Sequence, residues 1–158
     1  SISNDQENLI LRSLSGNFLI QQQDSLKENW DHFNIVTEKD PSEVEIEDLK
    51  FANKVCSFVK SNAIVLVKNN HVIGIGAGQP NRLNSVKIAC DLAGKNSQGS
   101  VLASDAFFPF ADGLEIAIKF GVKSVIQPGG SIRDNEIISE ANKAGISMIM
   151  TGRRHFLH

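Results

Sequence analysis

The chain lacks any apolar window approaching the about 20 residues that a membrane-spanning helix needs, so such a helix is excluded. No charged-then-apolar leader opens at Ser1, and the expectation is a soluble, cytoplasmic protein. Cysteine is scarce. The two present, Cys56 and Cys90, form no CxxC pair and no disulfide framework, and each falls inside an amphipathic helical pattern. Buried, reduced thiols are expected, which suits a cytosol. Charge of one sign is also missing: 16 basic residues face 18 acidic ones, for a formal charge of −2, and neither sign forms a long run. A nucleic-acid backbone needs a concentrated basic face, so nucleic acid is excluded as a partner.

What is there suffices for one domain over residues 1–158, since 41% of them are hydrophobic. Residues 1–40 read as a lead-in and packing segment, and 41–158 as the core. Ser1 to Leu9 is polar and acidic, a flexible lead-in. Leu14 to Ile20 predicts a strand, Gln21 to Asp24 a turn, Leu26 to Asn34 is short and mixed, and Phe33 to Val36 predicts a weak strand. Asp40-Pro41-Ser42 signals a helix start. Val44, Leu49, Ala52, Val55, Cys56 and Val59 then mark one face of a helix over 42–60.

Asn62 to Val67 and Val72 to Gly78, joined by Lys68-Asn69-Asn70, predict a β-hairpin, because asparagine tolerates the left-handed turn. Gly74, Gly76 and Gly78 alternate, so one face of that strand is bare and another group can lie against its backbone. A dinucleotide fingerprint is excluded, because GxGxG inside a hairpin strand is not GxGxxG at a strand-to-helix turn. Helices are predicted from Gln79–Asn84 onward, over 112–120 and over 133–143. Strands are predicted over 100–103, 122–126 and 146–150. Ser131 and Asp134 have the spacing of a capping pair, and Thr151 to His158 is a cationic tail.

The order hairpin, helix, strand, helix, strand, helix, strand implies a three-layer α/β/α fold. Its sheet is mixed and mostly parallel, with an antiparallel hairpin at one edge. The crossing Ser104 to Gly113, SDAFFPFADG, lies between a buried strand and a helix, where ligands of open α/β sheets collect. A plain connector is polar. Phe107, Phe108 and Phe110 therefore cover either core or a flat ligand. Arg82 falls near a helix start, and by itself reads equally as a solvated surface side chain.

This topology is that of the cytidine deaminase-like fold. Zinc deaminases of that fold carry HxE and PCxxC at the two helix starts. Here QPNRLN and DAFFPF stand in those places, so no metal site is expected. KSNAIVLVKNN, VIGIGAGQPNR, SDAFFPFADG, IQPGGSIRD and RHFLH, in this order, instead resemble the C-terminal part of the AICAR transformylase/IMP cyclohydrolase family. The likeness extends over nearly all of the chain, which looks like the second of two deaminase-like subdomains of the transformylase. The resemblance implies transfer of a formyl group from 10-formyltetrahydrofolate to AICAR in purine (IMP) biosynthesis. It also implies a homodimer and the remainder of the transformylase domain as partners, with IMP cyclohydrolase activity belonging to the whole protein.

The family's Lys-His catalytic pair belongs to the first subdomain, and this chain has no Lys-His dipeptide, so inactivity alone is expected. By resemblance, Asn62 orients that pair or stabilises developing charge; read without the resemblance, it is a turn residue opening a strand. Arg82, flanked by Asn81 and Leu83, corresponds to the arginine beside the folate. Phe107, Pro109 and Phe110 would wall the pterin, and Asp112 would accept from its amino-pyrimidine edge. Arg154 and Phe156 would contact AICAR. Ala111 stands where an arginine is common, and Leu157 where a basic residue or histidine is. These two changes bear on affinity for a polyanionic folate more than on chemistry.

Overall fold

A computed structural model describes residues 9–22, 30 and 33–157. The lead-in at 1–8, residues 23–24 of the expected turn and most of the mixed stretch at 26–34 lie outside the described residues, while Gln21 and Gln22, expected in that turn, continue a strand. The chain opens with β1 (Leu9–Leu14) and β2 (Asn17–Gln22), an antiparallel pair forming its own two-stranded sheet. This corrects the single strand expected over 14–20. Ser15 and Gly16 both take positive φ, so the chain reverses in the middle of that apolar run.

Then follow β3 (Asn34–Ile35), α1 (Glu43–Cys56), β4 (Ile64–Lys68), β5 (His71–Gly76), α2 (Arg82–Ala93) and a 3-10 turn at Gly94–Ser97. The chain continues with β6 (Val101–Ser104), α3 (Ala111–Lys119), β7 (Ser124–Gln127), α4 (Asp134–Lys143) and β8 (Ser147–Met150). The main sheet runs β3-β8-β7-β6-β4-β5. Strands β6, β7 and β8 are parallel. Strand β4 is antiparallel to both neighbours, which turns β5 back into the direction of those three, and β3 is antiparallel to β8.

Side chains alternate along β4 to feed two cores. Val65 and Val67 join Val101, Ala103 and Ile126 under Leu49 and Ala52 of α1. Ile64 and Leu66 join Leu102, Val125 and Met148 under α2, α3 and α4. Because helices cover both faces, β4, β6 and β7 are apolar or buried almost throughout instead of alternating with polar residues. The three layers expected from the sequence are present.

Helix α1 starts where Asp40-Pro41-Ser42 signals it. Ser42 Oγ accepts from Glu45 N (3.3 Å), and Glu45 Oε2 accepts from Ser42 N (2.7 Å), a reciprocal cap. The helix ends at Cys56 rather than Lys60, because tighter turns, with Phe58 N bonded to Val55 O and Val59 N to Cys56 O, replace its last turn. The β4–β5 turn is the pair Asn69-Asn70, with φ of 52° and 58°. Asp48 of α1 holds it, its carboxylate accepting from Asn69 N (2.9 Å) and Asn70 N (2.6 Å). The bare glycine face of β5 is filled by helix α2. A Cβ on Gly74 would collide with Ala89 O, and one on Gly76 with Ser85 O. What lies against that backbone is the protein itself, and Gly78 has left the strand.

Candidate functional site

Parallel strands β6, β7 and β8 end together, at Ser104, Gln127 and Met150, and Ile64 opens β4 opposite Ser104. The segments 60–63, 77–82, 104–110, 127–133 and 151–157 therefore meet along one edge of the sheet. The tail crosses this edge by backbone bonds: Thr151 N to Gln127 O (2.9 Å), Gly152 N to Pro128 O (2.9 Å) and His155 N to Asp105 O (2.9 Å). It ends against Ser61, whose N donates to Leu157 O (2.9 Å) while its Oγ accepts from Leu157 N (3.2 Å). The cationic tail is thus a crossbar over four strand ends.

Arg82 opens α2 just after its cap, where Asn81 Oδ1 accepts from Asn84 N (2.8 Å). It is buried, which rules out the solvated-surface reading. Its guanidinium donates to Ser104 Oγ (2.9 Å), Phe107 O (3.3 Å) and Asp105 Oδ1 (2.5 Å). Asp105 is fully buried, and its Oδ2 has no hydrogen-bond partner among the described residues. Arg82 thereby fixes the strand-to-helix crossing, whose Asp105 carbonyl in turn receives the tail. Asp105 was not expected as a site residue from the sequence. The signal was an acidic residue directly after an apolar strand, with no second charge until Asp112.

The three phenylalanines divide. Phe108 is core: its ring lies over Gly113, where a Cβ would press on it, and its N–H donates to Gln127 Oε1 (2.9 Å). Phe107 is half-buried, with the Arg154 guanidinium 4.6 Å above its ring, a cation–π contact. Phe110 is exposed, with Arg133 at 4.6 Å over its ring. Pro109 is exposed and Leu83 half-buried. Asp112 projects from the first turn of α3, one Oδ accepting from Gly113 N (2.7 Å). Exposed Phe156 continues the tail beyond Arg154.

Asn62 joins this edge from the start of β4. Its Nδ2 donates to Gln79 O (2.9 Å), and its carbonyl accepts from Ser85 Oγ (2.8 Å). The Ser61–Asn62 peptide is cis. Asp134 and Ser131 act as a pair, though not as a direct cap. Asp134 accepts from Gly130 N (2.7 Å) and Ser131 N (3.1 Å), while Ser131 Oγ accepts from Arg133 N (3.1 Å). Gln127, Arg133 and Ile132, which is fully exposed at the same edge, were not expected from the sequence. Gln127 carries a readable signal, a polar residue ending an apolar strand before Pro-Gly-Gly.

Both thiols are buried. Burial, and secondarily the Asp105 carboxylate, push Cys56 well above an ordinary thiol despite the opposing Arg82 charge. Burial, and secondarily Asp91, raise Cys90 to about 12. Neither thiol is a nucleophile at neutral pH. Among the described residues, no cluster of His, Cys, Asp or Glu is placed to hold a metal, and no helix is long and apolar enough to cross a membrane.

Fold and edge together define a three-layer α/β domain whose strand-end edge gathers aromatic, arginine and carboxylate side chains. The sequence model of the AICARFT/IMPCHase bienzyme matches residues 1–92, and the chain belongs to that family. The bifunctional purine biosynthesis protein PurH of Trichodesmium erythraeum is 53% identical over 148 residues, 94% of this chain and 29% of that protein. PurH of Bacillus cytotoxicus is likewise 53% identical over 148 residues. The chain thus spans less than a third of the length of the curated relatives it matches. Among solved structures, Acinetobacter baumannii RibD is 20% identical with a TM-score of 0.47, covering 70% of this chain and 36% of that one.

Proposed function

We propose that this chain is the second deaminase-like subdomain of a phosphoribosylaminoimidazolecarboxamide formyltransferase, supplying the folate site and part of the AICAR site. The observation that carries the reading is convergence. Asn62, Arg82, Phe107, Phe110, Asp112 and Arg154, far apart in sequence, meet along one sheet edge, with Arg154 stacked over Phe107.

The amine of AICAR is a poor nucleophile, because its lone pair is delocalised into the imidazole carboxamide. Formyl transfer from 10-formyltetrahydrofolate therefore needs removal of the amine proton, protonation of the departing folate nitrogen and stabilisation of the tetrahedral oxyanion. The proton work falls to a Lys-His pair outside this chain, beside which Asn62 offers an amide donor and acceptor. Phe107, Pro109 and Phe110 provide apolar walls for a pterin, with Asn81 and Leu83 at the rim. Asp112 provides an acceptor-only group for its amino edge. Arg82 acts by holding the 104–110 crossing in place. Arg154 and Phe156 meet the nucleotide. No metal takes part. The enzyme works as a cytosolic homodimer, and the parent polypeptide also carries IMP cyclohydrolase activity.

A second reading is a folate- or nucleotide-binding module that is not catalytic by itself, favoured by the missing Lys-His dipeptide. The test is calorimetric titration of the chain with a tetrahydrofolate analogue, alongside Asp112→Ala. Binding that the variant loses supports a folate site here. Absence of binding means that the site forms only with the rest of the polypeptide, and unchanged binding by the variant removes Asp112 from it. Formyl transfer by the 158-residue chain alone would overturn the expected inactivity.

A further inference from the structure

Gln127 ends β7 fully buried, where an apolar side chain would fill the space without the cost of drying an amide. The two ends of that amide are used unequally. Nε2 donates to Met148 Sδ (3.2 Å), a weak acceptor, whereas Oε1 accepts from the buried Phe108 N–H (2.9 Å), a donor that needs a partner. The backbone carbonyl of the same residue accepts from Thr151 N (2.9 Å). One residue thus grips the 104–110 crossing with its side chain and the tail with its main chain.

Both grips lie close to the stacked pair of the edge. Phe107 adjoins Phe108. Arg154 follows Thr151 by three residues, and Thr151 Oγ1 stiffens that path by donating to Arg153 O (3.0 Å) and accepting from Arg153 N (3.2 Å). On the other side of the pair, His155 N donates to Asp105 O (2.9 Å). A single hydrogen bond between two loops leaves a pivot, and a second point of attachment fixes their rotation. Arg154 is exposed, so close packing does little to set its direction. Its place 4.6 Å over the Phe107 ring depends on how the two backbones are held.

We propose that Gln127 is a positioning residue of the ligand edge: by tying the crossing to the tail it sets their register and holds Phe107 under Arg154. The proposal rests on the function proposed above for what that pair meets, a folate on one side and a nucleotide on the other. The register itself rests on the hydrogen bonds alone, so its test uses no ligand, and a failure of the folate reading leaves the outcome readable.

The test is nuclear magnetic resonance on the 158-residue chain, with Phe107→Ala as the reference that lacks the ring. In the wild type the ring current of Phe107 should move the Arg154 δ-protons upfield of that reference. Gln127→Met keeps the length of the side chain and removes the acceptor. It should abolish most of that displacement and speed exchange of the Phe108 amide by about 10- to 100-fold. Should Gln127→Met not fold, Gln127→Asn, whose acceptor is one methylene short, takes its place with the same expectations. Gln127→Glu, measured near about pH 5, where a buried carboxyl stays neutral, restores an acceptor at the same point and should recover both signals. Gly76→Ala, which loosens the fold at α2 and β5, should leave both as in the wild type. A wild-type shift equal to that of Phe107→Ala overturns the proposal. So does an unchanged Arg154 shift in the Gln127 variant without the acceptor, a Gln127→Glu chain that recovers neither signal, or an equal loss in Gly76→Ala.

Discussion

Arg82 Nη2 lies 2.5 Å from Asp105 Oδ1, both side chains being almost wholly removed from solvent, so a fully formed ion pair anchors the edge of the sheet. Burying two charges is costly, and only their mutual geometry and added hydrogen bonds offset it. Here the added bonds run from Arg82 to Ser104 and Phe107, while the second carboxylate oxygen of Asp105 has no partner among the described residues. The pair is therefore worth more as a positioning device than as net stability.

Removing one partner exposes that difference. Asp105→Ala should lower the unfolding free energy by about 3–5 kcal/mol in urea titration, because it leaves a buried guanidinium uncompensated. The double variant Arg82→Met/Asp105→Leu should recover most of the loss. Hydrogen exchange at His155 should nevertheless stay faster than in the wild type in both, since the tail then docks on a displaced carbonyl.

Gly76 tests the close approach of α2 to β5. Gly76→Ala puts a methyl group into the Ser85 carbonyl, a backbone atom that no rotamer change can move. A loss of about 1–3 kcal/mol is expected, read as a lowered urea midpoint. The same change at Gly16, at the exposed hairpin turn, meets nothing in space and acts through its positive φ alone.

The thiols give a pH dependence. A folded-state pKa raised to about 12 for Cys90, and raised also for Cys56, means that the native state keeps protons that the unfolded state releases from about pH 8.5. Stability is thus fully present below that pH. It falls as pH rises toward 12, by up to about 1.4 kcal/mol per pH unit and thiol. Unfolding measured at several pH values between 8 and 11 should show this slope, and Cys90→Ala should reduce it.

Adjacent phenylalanines should behave oppositely. Phe108→Ala removes a fully buried ring and should cost about 3–5 kcal/mol of stability. Phe107→Ala should leave stability within about 1 kcal/mol while weakening binding of a tetrahydrofolate analogue about tenfold, measured by calorimetry on the assembled enzyme. If Phe107→Ala binds as tightly as the wild type, Phe107 is not part of the ligand wall.

Much of this architecture was readable because its signals are local. The cap at Ser42 and Glu45, the Asn69-Asn70 turn and the buried β4 and β6 runs each follow from side chains within a few residues. The β1–β2 turn was missed because Ser15-Gly16 interrupts an apolar run too briefly to change its pattern. The glycines of β5 were rightly read as leaving a bare face. What fills that face is Ala89 and Ser85 of α2, which no spacing within the strand specifies.

The sequence by itself determined the order of elements from α1 onward, the cap of α1, the Asn69-Asn70 turn and, through five motifs in order, the family. Periodicity and turn chemistry act over one to four residues, and motifs are a property of the string. Only the tertiary structure decided that Phe108 faces the core while Phe107 and Phe110 face outward. It also decided that Arg82 spends its donors on Asp105, Ser104 and Phe107, and that the tail closes over the strand ends. These outcomes depend on which groups are left unsatisfied once the sheet has formed, and that balance of burial and hydrogen bonding joins residues dozens of positions apart.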